Sequence, residues 1–160
     1  RAMKPDLVIF GSADAGFTRQ QWTAGTIRIL ERLSPASGRI FLLADTPSLP
    51  FNGPDCLMRH ALRPAWLRRF DSCGAPAANA QAAAIQSWLQ TAAVRFPNVR
   101  ILDLNARICP AGTCRAEIDG HVVFRDNQHL SGSFAASLAK AMAGKLEQPR
   151  DAPDSTSSGF

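Results

Sequence analysis

Two residues near the C-terminal end of the sequence have the types and spacing for catalysis: Asp126 and His129, which lie three positions apart. In a loop, an aspartate at this spacing can accept a hydrogen bond from the histidine Nδ1. The carboxylate then fixes the tautomer and stabilises the imidazolium, which leaves Nε2 free to take a proton from a serine hydroxyl. The pattern therefore predicts the His–Asp end of a serine-esterase-type site.

The spacing alone is common, because the sequence holds ten aspartates and three histidines. The alternative is a surface histidine beside a helix-capping loop. The position of the pair favours catalysis, since it follows the last extended segment and precedes the last predicted helix. The loop at 11–14, which includes Gly11 and Ser12, follows the first strand in the same way. Ligands bind outside the carboxyl ends of strands in open α/β sheets, so we expect these two loops to face each other.

The hydrophobic pattern predicts strands and helices in alternation. We expect strands at 6–11, 39–45 and 99–104, and helices at 18–33, 77–96 and 131–146, the last capped by Ser131 or Ser133. This order is typical of an α/β fold with a mostly parallel sheet. The segment 46–76 is predicted to be a long irregular loop, and Asp119-Gly120 predicts a β-hairpin. One domain is expected over 1–147, with a disordered tail at 148–160.

The four cysteines favour disulfides and an oxidising compartment. Cys109 and Cys114 stand at the two ends of a short Pro/Gly turn that can bring their Cα atoms within disulfide range. Four cysteines allow three pairings, and we favour this pair together with Cys56–Cys73, which would tie down the 46–76 loop. Zinc is the less favoured alternative because the cysteines lack C-x-x-C pairs, and four free thiols remain the third possibility.

Charge and composition argue against several classes of function. The net charge is +5, but the arginines are scattered with one loose cluster at Arg63, Arg68 and Arg69, so no nucleic-acid partner is expected. An acidic glycan or a membrane surface is the less favoured explanation of this charge. The sequence has no apolar run of about 18 residues, so no membrane span is predicted.

Neither a metal site nor a cofactor site is predicted. The three histidines, His60, His121 and His129, show no ligand spacing, so no metal is expected. The loop after the first strand has neither G-x-G-x-x-G nor G-K-[ST], so a nucleotide-binding domain is discounted.

At four places the sequence resembles the SGNH domain that is fused to membrane acyltransferase-3 proteins, over about residues 3–145. These places are KPDLVIFG at 4–11, PSLPFNGPDCL at 47–57, LNARICPAGTC at 104–114 and VVFRDNQHL at 122–130. The resemblance implies a three-layer α/β/α, flavodoxin-like fold with a Ser–His–Asp site. It also implies a periplasmic domain, tethered by an upstream acyltransferase-3 membrane domain, that transfers or hydrolyses O-acyl groups on cell-surface polysaccharide without a cofactor.

Carried over onto this sequence, the resemblance makes Asp126 the orienting residue, His129 the general base and Gly11 the oxyanion-hole glycine of a G-x-N-D block. The asparagine of that block is Ala13 here, and losing such a donor costs about 10²–10³ in rate where nothing replaces it. The G-D-S nucleophile block is absent. In the family it lies upstream of a segment like 4–11, so we expect an N-terminally incomplete domain that is marginally stable alone, with an exposed strand edge.

Two functional hypotheses follow. The first is the C-terminal portion of an SGNH-type O-acyltransferase or esterase domain whose serine lies upstream. The second is a non-catalytic glycan-binding or structural remnant, which the missing nucleophile block and Ala13 favour. Ser12 is not expected to be the nucleophile, because GSAD at 11–14 is not a G-x-S-x-G elbow.

Overall fold

The computed structural model describes residues 4–11, 16–68, 73–77 and 80–148. The chain divides into two compact units. The first, called the sheet unit, comprises Arg1–Asp45 and Asn79–Asp103. The second, called the disulfide unit, comprises Thr46–Ala78 and Leu104–Phe160. The predicted tail lies outside the described residues apart from Gln148.

The sheet unit contains three parallel strands and two long helices. The strands are β1 (Leu7–Phe10), β2 (Arg39–Leu43) and a later strand at Val99–Leu102, and β2 is the central strand. Helix α1 spans Arg19–Leu33, a 3₁₀ turn follows at Ser34–Ala36, and a second long helix spans Ala80–Ala93. The predicted strands and helices are present with shorter ends, so the α/β class with parallel strands is confirmed.

Burial of large apolar side chains explains this arrangement. Ile40 and Leu42 point to one face of the sheet, where they join Leu30 of α1 and Leu89 of the second long helix in one core cluster. The start of α1 is set by Thr18, whose hydroxyl accepts from the Gln21 amide while the Gln21 side chain accepts from the Thr18 amide.

Strand β1 differs from the expected buried strand. Among the described residues it pairs with β2 alone, and Ile9 at its middle is 41% exposed. An edge strand with one neighbour leaves its outer backbone groups unpaired. The described residues thus show β1 as an edge strand, and the expected incompleteness of the domain stays a prediction.

The disulfide unit is built from short elements. Its helices are α2 (Gly53–Leu62), α3 (Ala65–Arg68), α5 (Asn105–Ile108), α6 (Gly132–Ser137) and α7 (Ala139–Glu147), with α4 being the Ala80–Ala93 helix of the sheet unit. Its strands are β3 (Gly74–Pro76), β5 (Thr113–Arg115), β6 (Glu117–Ile118) and β7 (His121–Val122), with β4 being Val99–Leu102. The pairs β3–β5 and β6–β7 are antiparallel.

Two predictions for this unit need correction. The segment 46–76 is not one irregular loop, because Asn52 caps α2 by accepting from the Asp55 amide, and Pro54 occupies the first turn, where it is tolerated. The last helix is not continuous, since it breaks at Leu138 between α6 and α7. The hairpin is confirmed: Asp119 and Gly120 have φ of 50° and 78°, the left-handed conformation that a tight turn between twisted strands requires.

Both favoured disulfides are present. Cys56 on α2 bonds to Cys73, with Cα atoms 5.8 Å apart, and Cys109 bonds to Cys114, with Cα atoms 4.1 Å apart. All four cysteines are buried in the apolar core of the disulfide unit. In a unit with so little regular structure, these covalent links replace part of the packing that longer helices and strands supply elsewhere.

Candidate active site

The segment 125–129 is a loop closed at its base by backbone pairing within the disulfide unit. Phe124 and Leu130 form an antiparallel bridge, and the Arg125 amide donates to the His129 carbonyl at 2.9 Å. Phe124 is completely buried, so the base of the loop is fixed in the core while its tip reaches the surface. A tight loop on a buried base is a suitable support for a reactive side chain.

Inside this loop the two carboxylate oxygens of Asp126 have separate partners. Oδ1 accepts from the backbone amides of Gln128 at 2.8 Å and His129 at 2.7 Å. Oδ2 lies 2.8 Å from His129 Nδ1. The first oxygen therefore holds the backbone in a turn, and the second is left to orient the imidazole ring.

These contacts lower the pKa of the Asp126 carboxyl from 3.8 to about 2. The largest cause is the hydrogen bond from the His129 amide, followed by that from the Gln128 amide, and the His129 side chain adds to both. The carboxylate is therefore ionised at any pH at which an esterase is expected to work. An ionised carboxylate accepts from Nδ1–H and stabilises a positive charge on the ring.

The face of His129 opposite to Asp126 is open. Its side chain is 56% exposed, and among the described residues none makes a hydrogen bond to Nε2. With Nδ1 held by the carboxylate, Nε2 is the ring nitrogen that can accept a proton from an incoming hydroxyl. Arg125 lies at the edge of the pair, with Nε 3.7 Å from Asp126 Oδ2 and a side chain that is 67% exposed.

The loop is also held by the start of α2 and the residues before it, which the site prediction did not include. The Leu49 amide donates to the Asn127 carbonyl at 2.8 Å, and the Gly53 amide donates to the Asp126 carbonyl at 3.3 Å. A Cβ on Gly53 would lie 3.6 Å from the Asp126 carbonyl oxygen, which is an ordinary van der Waals distance. The sequence signal for this segment was PSLPFNGPDCL at 47–57, one of the stretches that resemble the SGNH family. A backbone contact between distant segments, however, cannot be predicted from either segment alone.

Ser131 fixes the other end of the loop. Its amide donates to the Val123 carbonyl at 2.9 Å, its hydroxyl donates to the Val122 carbonyl, and the hydroxyl accepts from the Phe134 amide at 3.2 Å. Ser131, not Ser133, is therefore the N-cap of α6. Its hydroxyl is occupied by structural hydrogen bonds, as expected for a capping residue.

The remaining predicted site residues belong to the sheet unit. Gly11 is exposed directly after β1, and among the described residues a Cβ placed there would meet Leu43 side-chain atoms, the nearest at 3.6 Å. That spacing is an ordinary van der Waals contact, so local sterics do not demand glycine at this position. Ser12 and Ala13 lie outside the described residues, and the expectation that their loop faces His129 remains a prediction.

Neither a candidate metal centre nor a candidate membrane span is found in the described residues. They contain no group of three or more His, Cys, Asp or Glu side chains arranged to hold a metal ion. In the same residues, no helix is both long enough and apolar enough to cross a bilayer.

Comparison with known proteins adds the family. No curated protein matches the chain. The family model described as "SGNH domain (fused to AT3 domains)" matches residues 4–144, which include both units, both disulfides and the Asp126–His129 loop. The family is of the hydrolase and acyltransferase type. The chain therefore belongs to the SGNH domains of the kind fused to AT3 domains.

Proposed function

We propose that this domain transfers O-acyl groups to cell-surface polysaccharide, or hydrolyses such esters, by a Ser–His–Asp mechanism with Asp126 and His129 as two of its three members. The observation that carries the proposal is the 2.8 Å contact between Asp126 Oδ2 and His129 Nδ1. The proposal is also supported by the two backbone amides that donate to Asp126 Oδ1. A carboxylate held in this way orients the His129 ring before the substrate binds.

Each group has a distinct task in this mechanism. A serine hydroxyl attacks the acyl carbonyl, and His129 Nε2 takes its proton. The resulting imidazolium is stabilised by Asp126 and then protonates the leaving alcohol. A second hydroxyl, from a sugar or from water, loses its proton to His129 and attacks the acyl-serine. The bond between the acyl carbon and the serine oxygen then breaks, and His129 returns the proton to that oxygen, which regenerates the serine and leaves the acyl group on the new oxygen.

We place the nucleophilic serine in sequence that precedes Arg1. The resemblance to SGNH domains puts a G-D-S block upstream of a segment like 4–11, and the single neighbour of β1 leaves an edge on which another parallel strand fits. A strand there would pair with the outer backbone groups of β1 and extend the sheet. Gly11, with Ser12, is proposed to contribute backbone amides to the oxyanion hole.

The proposed location is the periplasm, next to an acyltransferase-3 membrane domain in the same polypeptide. Two buried disulfides support an oxidising compartment, and the family description names AT3 domains as fusion partners. The acyl donor would then reach this domain through its membrane partner, and the polysaccharide would be the acceptor.

Active-site labelling of the native polypeptide tests this proposal. A fluorophosphonate reacts only with an activated serine, and mass spectrometry identifies the modified peptide. We expect modification of a serine upstream of Arg1, and its loss in His129→Ala by about 10⁴-fold or more. His121→Ala is the matched control, because His121 is also an exposed histidine of the disulfide unit but has no carboxylate partner among the described residues.

Other labelling outcomes contradict the proposal. Modification of Ser12 would mean that the chain holds an unusual complete site. An absence of labelling, with the protein folded and its disulfides formed, would favour the non-catalytic remnant. Equal loss of labelling in His121→Ala and His129→Ala would show a general structural effect instead of a catalytic one.

A further inference from the structure

Helix α2 buries one face in the disulfide unit and exposes large apolar side chains on the other. Gly53 and Cys56 are buried, and Leu57 packs against the core. Met58 and Leu62, which lie one helical turn apart, are 61% and 83% exposed. The outer face of a helix on a globular domain normally carries polar side chains, so this apolar outer face requires an explanation.

The exposed apolar character continues beyond α2. After the turn at Arg63 and Pro64, the short helix α3 carries Trp66, which is 64% exposed. Three large apolar side chains within nine residues are therefore open to solvent. Single exposed apolar residues need no explanation, but a run of this kind marks an interaction surface.

Most charged side chains of the same segment are positive. Residues 56–70 contain Arg59, Arg63, Arg68 and Arg69 and no aspartate or glutamate. Nearby acidic residues lie just outside it, at Asp55 and Asp71. The arginines outnumber these acidic residues, so an anionic partner is favoured here over a cationic one.

Together, these features fit a lipid surface. Leucine, methionine and tryptophan side chains enter the boundary between headgroups and acyl chains, where tryptophan is enriched, and arginines contact anionic headgroups. The Cys56–Cys73 disulfide fixes the inner face of α2, so that its outer face is presented as a rigid element. An acidic polysaccharide would satisfy the arginines but would leave Leu62 and Met58 in water.

We propose that the α2–α3 surface, defined as Met58, Arg59, Leu62, Arg63 and Trp66, binds the surface of a bilayer that contains anionic phospholipid. The contact is peripheral: the apolar side chains reach the acyl boundary and the arginines stay at headgroup level. The surface carries neither Asp126 nor His129, so this inference does not depend on the proposed acyl chemistry. Its consequence is a fixed orientation of the disulfide unit on the membrane.

Vesicle binding by the whole 160-residue chain tests the inference. Tryptophan fluorescence is followed on titration with vesicles of phosphatidylcholine mixed with phosphatidylglycerol, with and without brominated acyl chains. Trp22 is buried and Trp88 partly buried, so quenching by bromine reports mainly Trp66. We expect quenching with the mixed vesicles, much weaker binding to pure phosphatidylcholine, and loss of binding as salt is raised.

Matched variants localise the contact. Leu62→Ser is expected to weaken partitioning by about tenfold or more, since an apolar side chain then leaves the bilayer boundary. Arg59→Gln is expected to weaken it by about fivefold at low salt. Val94→Ser and Arg107→Gln are the controls, because Val94 is 72% exposed and Arg107 is an exposed arginine outside this surface.

Three results would overturn the inference. One is equal weakening by Leu62→Ser and Val94→Ser. Another is equal binding to vesicles with and without phosphatidylglycerol. The third is salt-sensitive binding to polygalacturonate without binding to vesicles, which would assign the surface to an acidic glycan. Circular dichroism and intact disulfides in each variant ensure that the comparison is made between folded proteins.

Discussion

The two units of the chain are stabilised in different ways. The sheet unit has three parallel strands, and its core joins residues of the strands and of α1 and α4. The disulfide unit has strands of two or three residues and helices of four to ten, and its core is built around four disulfide-bonded cysteines together with Phe124 and Phe134. The Asp126–His129 pair belongs to the second unit.

The comparison shows how a reactive loop is held where regular structure is scarce. In the sheet unit, the positions of the side chains follow from the register of the paired strands. In the disulfide unit, the loop 125–129 is held by the Phe124–Leu130 bridge, by the backbone amides of Leu49 and Gly53, and by the Ser131 cap. Each of these supports is local, so individual substitutions should separate catalysis from stability more cleanly here than in the sheet.

The largest expected effect comes from Asp126. Asp126→Asn keeps an oxygen for the two backbone amides but places an amide donor opposite His129 Nδ1, which selects the wrong tautomer. Turnover of p-nitrophenyl acetate by the native polypeptide should fall by about 10³–10⁴-fold with the loop unchanged. Asp126→Ala should lose activity and also speed hydrogen exchange at the amides of Gln128 and His129. Equal exchange rates in the two variants would contradict the division of labour between the carboxylate oxygens.

Removal of the Cys56–Cys73 disulfide is expected to have the next largest effect. The two cysteines lie 17 positions apart, so the double change Cys56→Ser and Cys73→Ser should lower the free energy of unfolding by about 3 kcal/mol. The same change at Cys109 and Cys114, which lie five positions apart, should lower it by about 2 kcal/mol. Hydrogen exchange should rise mainly in the disulfide unit, and a uniform rise across both units would remove the distinction between them.

A substitution at Gly38 tests the stability of the sheet unit, as removal of the disulfides tests that of the disulfide unit. A Cβ on Gly38 would lie 2.3 Å from the Asp6 carbonyl oxygen, a backbone atom that cannot move without disturbing the start of β1. Gly38→Ala should therefore cost about 1–3 kcal/mol in denaturant unfolding. Gly25→Ala, in the open middle of α1, is the control and should stabilise by about 0.5–1 kcal/mol. An unchanged free energy of unfolding in Gly38→Ala would mean that the start of β1 can shift without loss of stability.

The smallest effect is a pH dependence. Because the folded pKa of Asp126 is about 2, against an ordinary 3.8, its ionised form stabilises the folded state above about pH 4. This contribution should be lost as pH falls from about 4 to about 2. A carboxyl ¹³C titration of the folded protein should give the low value, and should give an ordinary value in a peptide of residues 122–133. An ordinary value in both would mean that the two amide contacts do not persist in solution.

Sequence reasoning was most successful where the determinants are local. The α/β class, the Asp119-Gly120 hairpin and Ser131 as one of two candidate caps all depend on residues within a few positions of each other. It failed at 46–76, where a proline-rich composition concealed the Asn52-capped helix α2. It also missed the break at Leu138, since the apolar pattern of 131–146 continues through the point where α6 ends.

For the candidate site, the sequence by itself determined the pairing of an aspartate with a histidine three residues later, because that spacing suffices for a hydrogen bond within one loop. It also supplied the four cysteines and the motifs by which the family is recognised. Only the tertiary structure decided that Oδ1 is occupied by two amides, that Leu49 and Gly53 hold the loop, and that Met58, Leu62 and Trp66 are exposed. The reason is physical: these facts depend on which distant backbone groups meet and which face of α2 is covered, and local spacing carries no information about either.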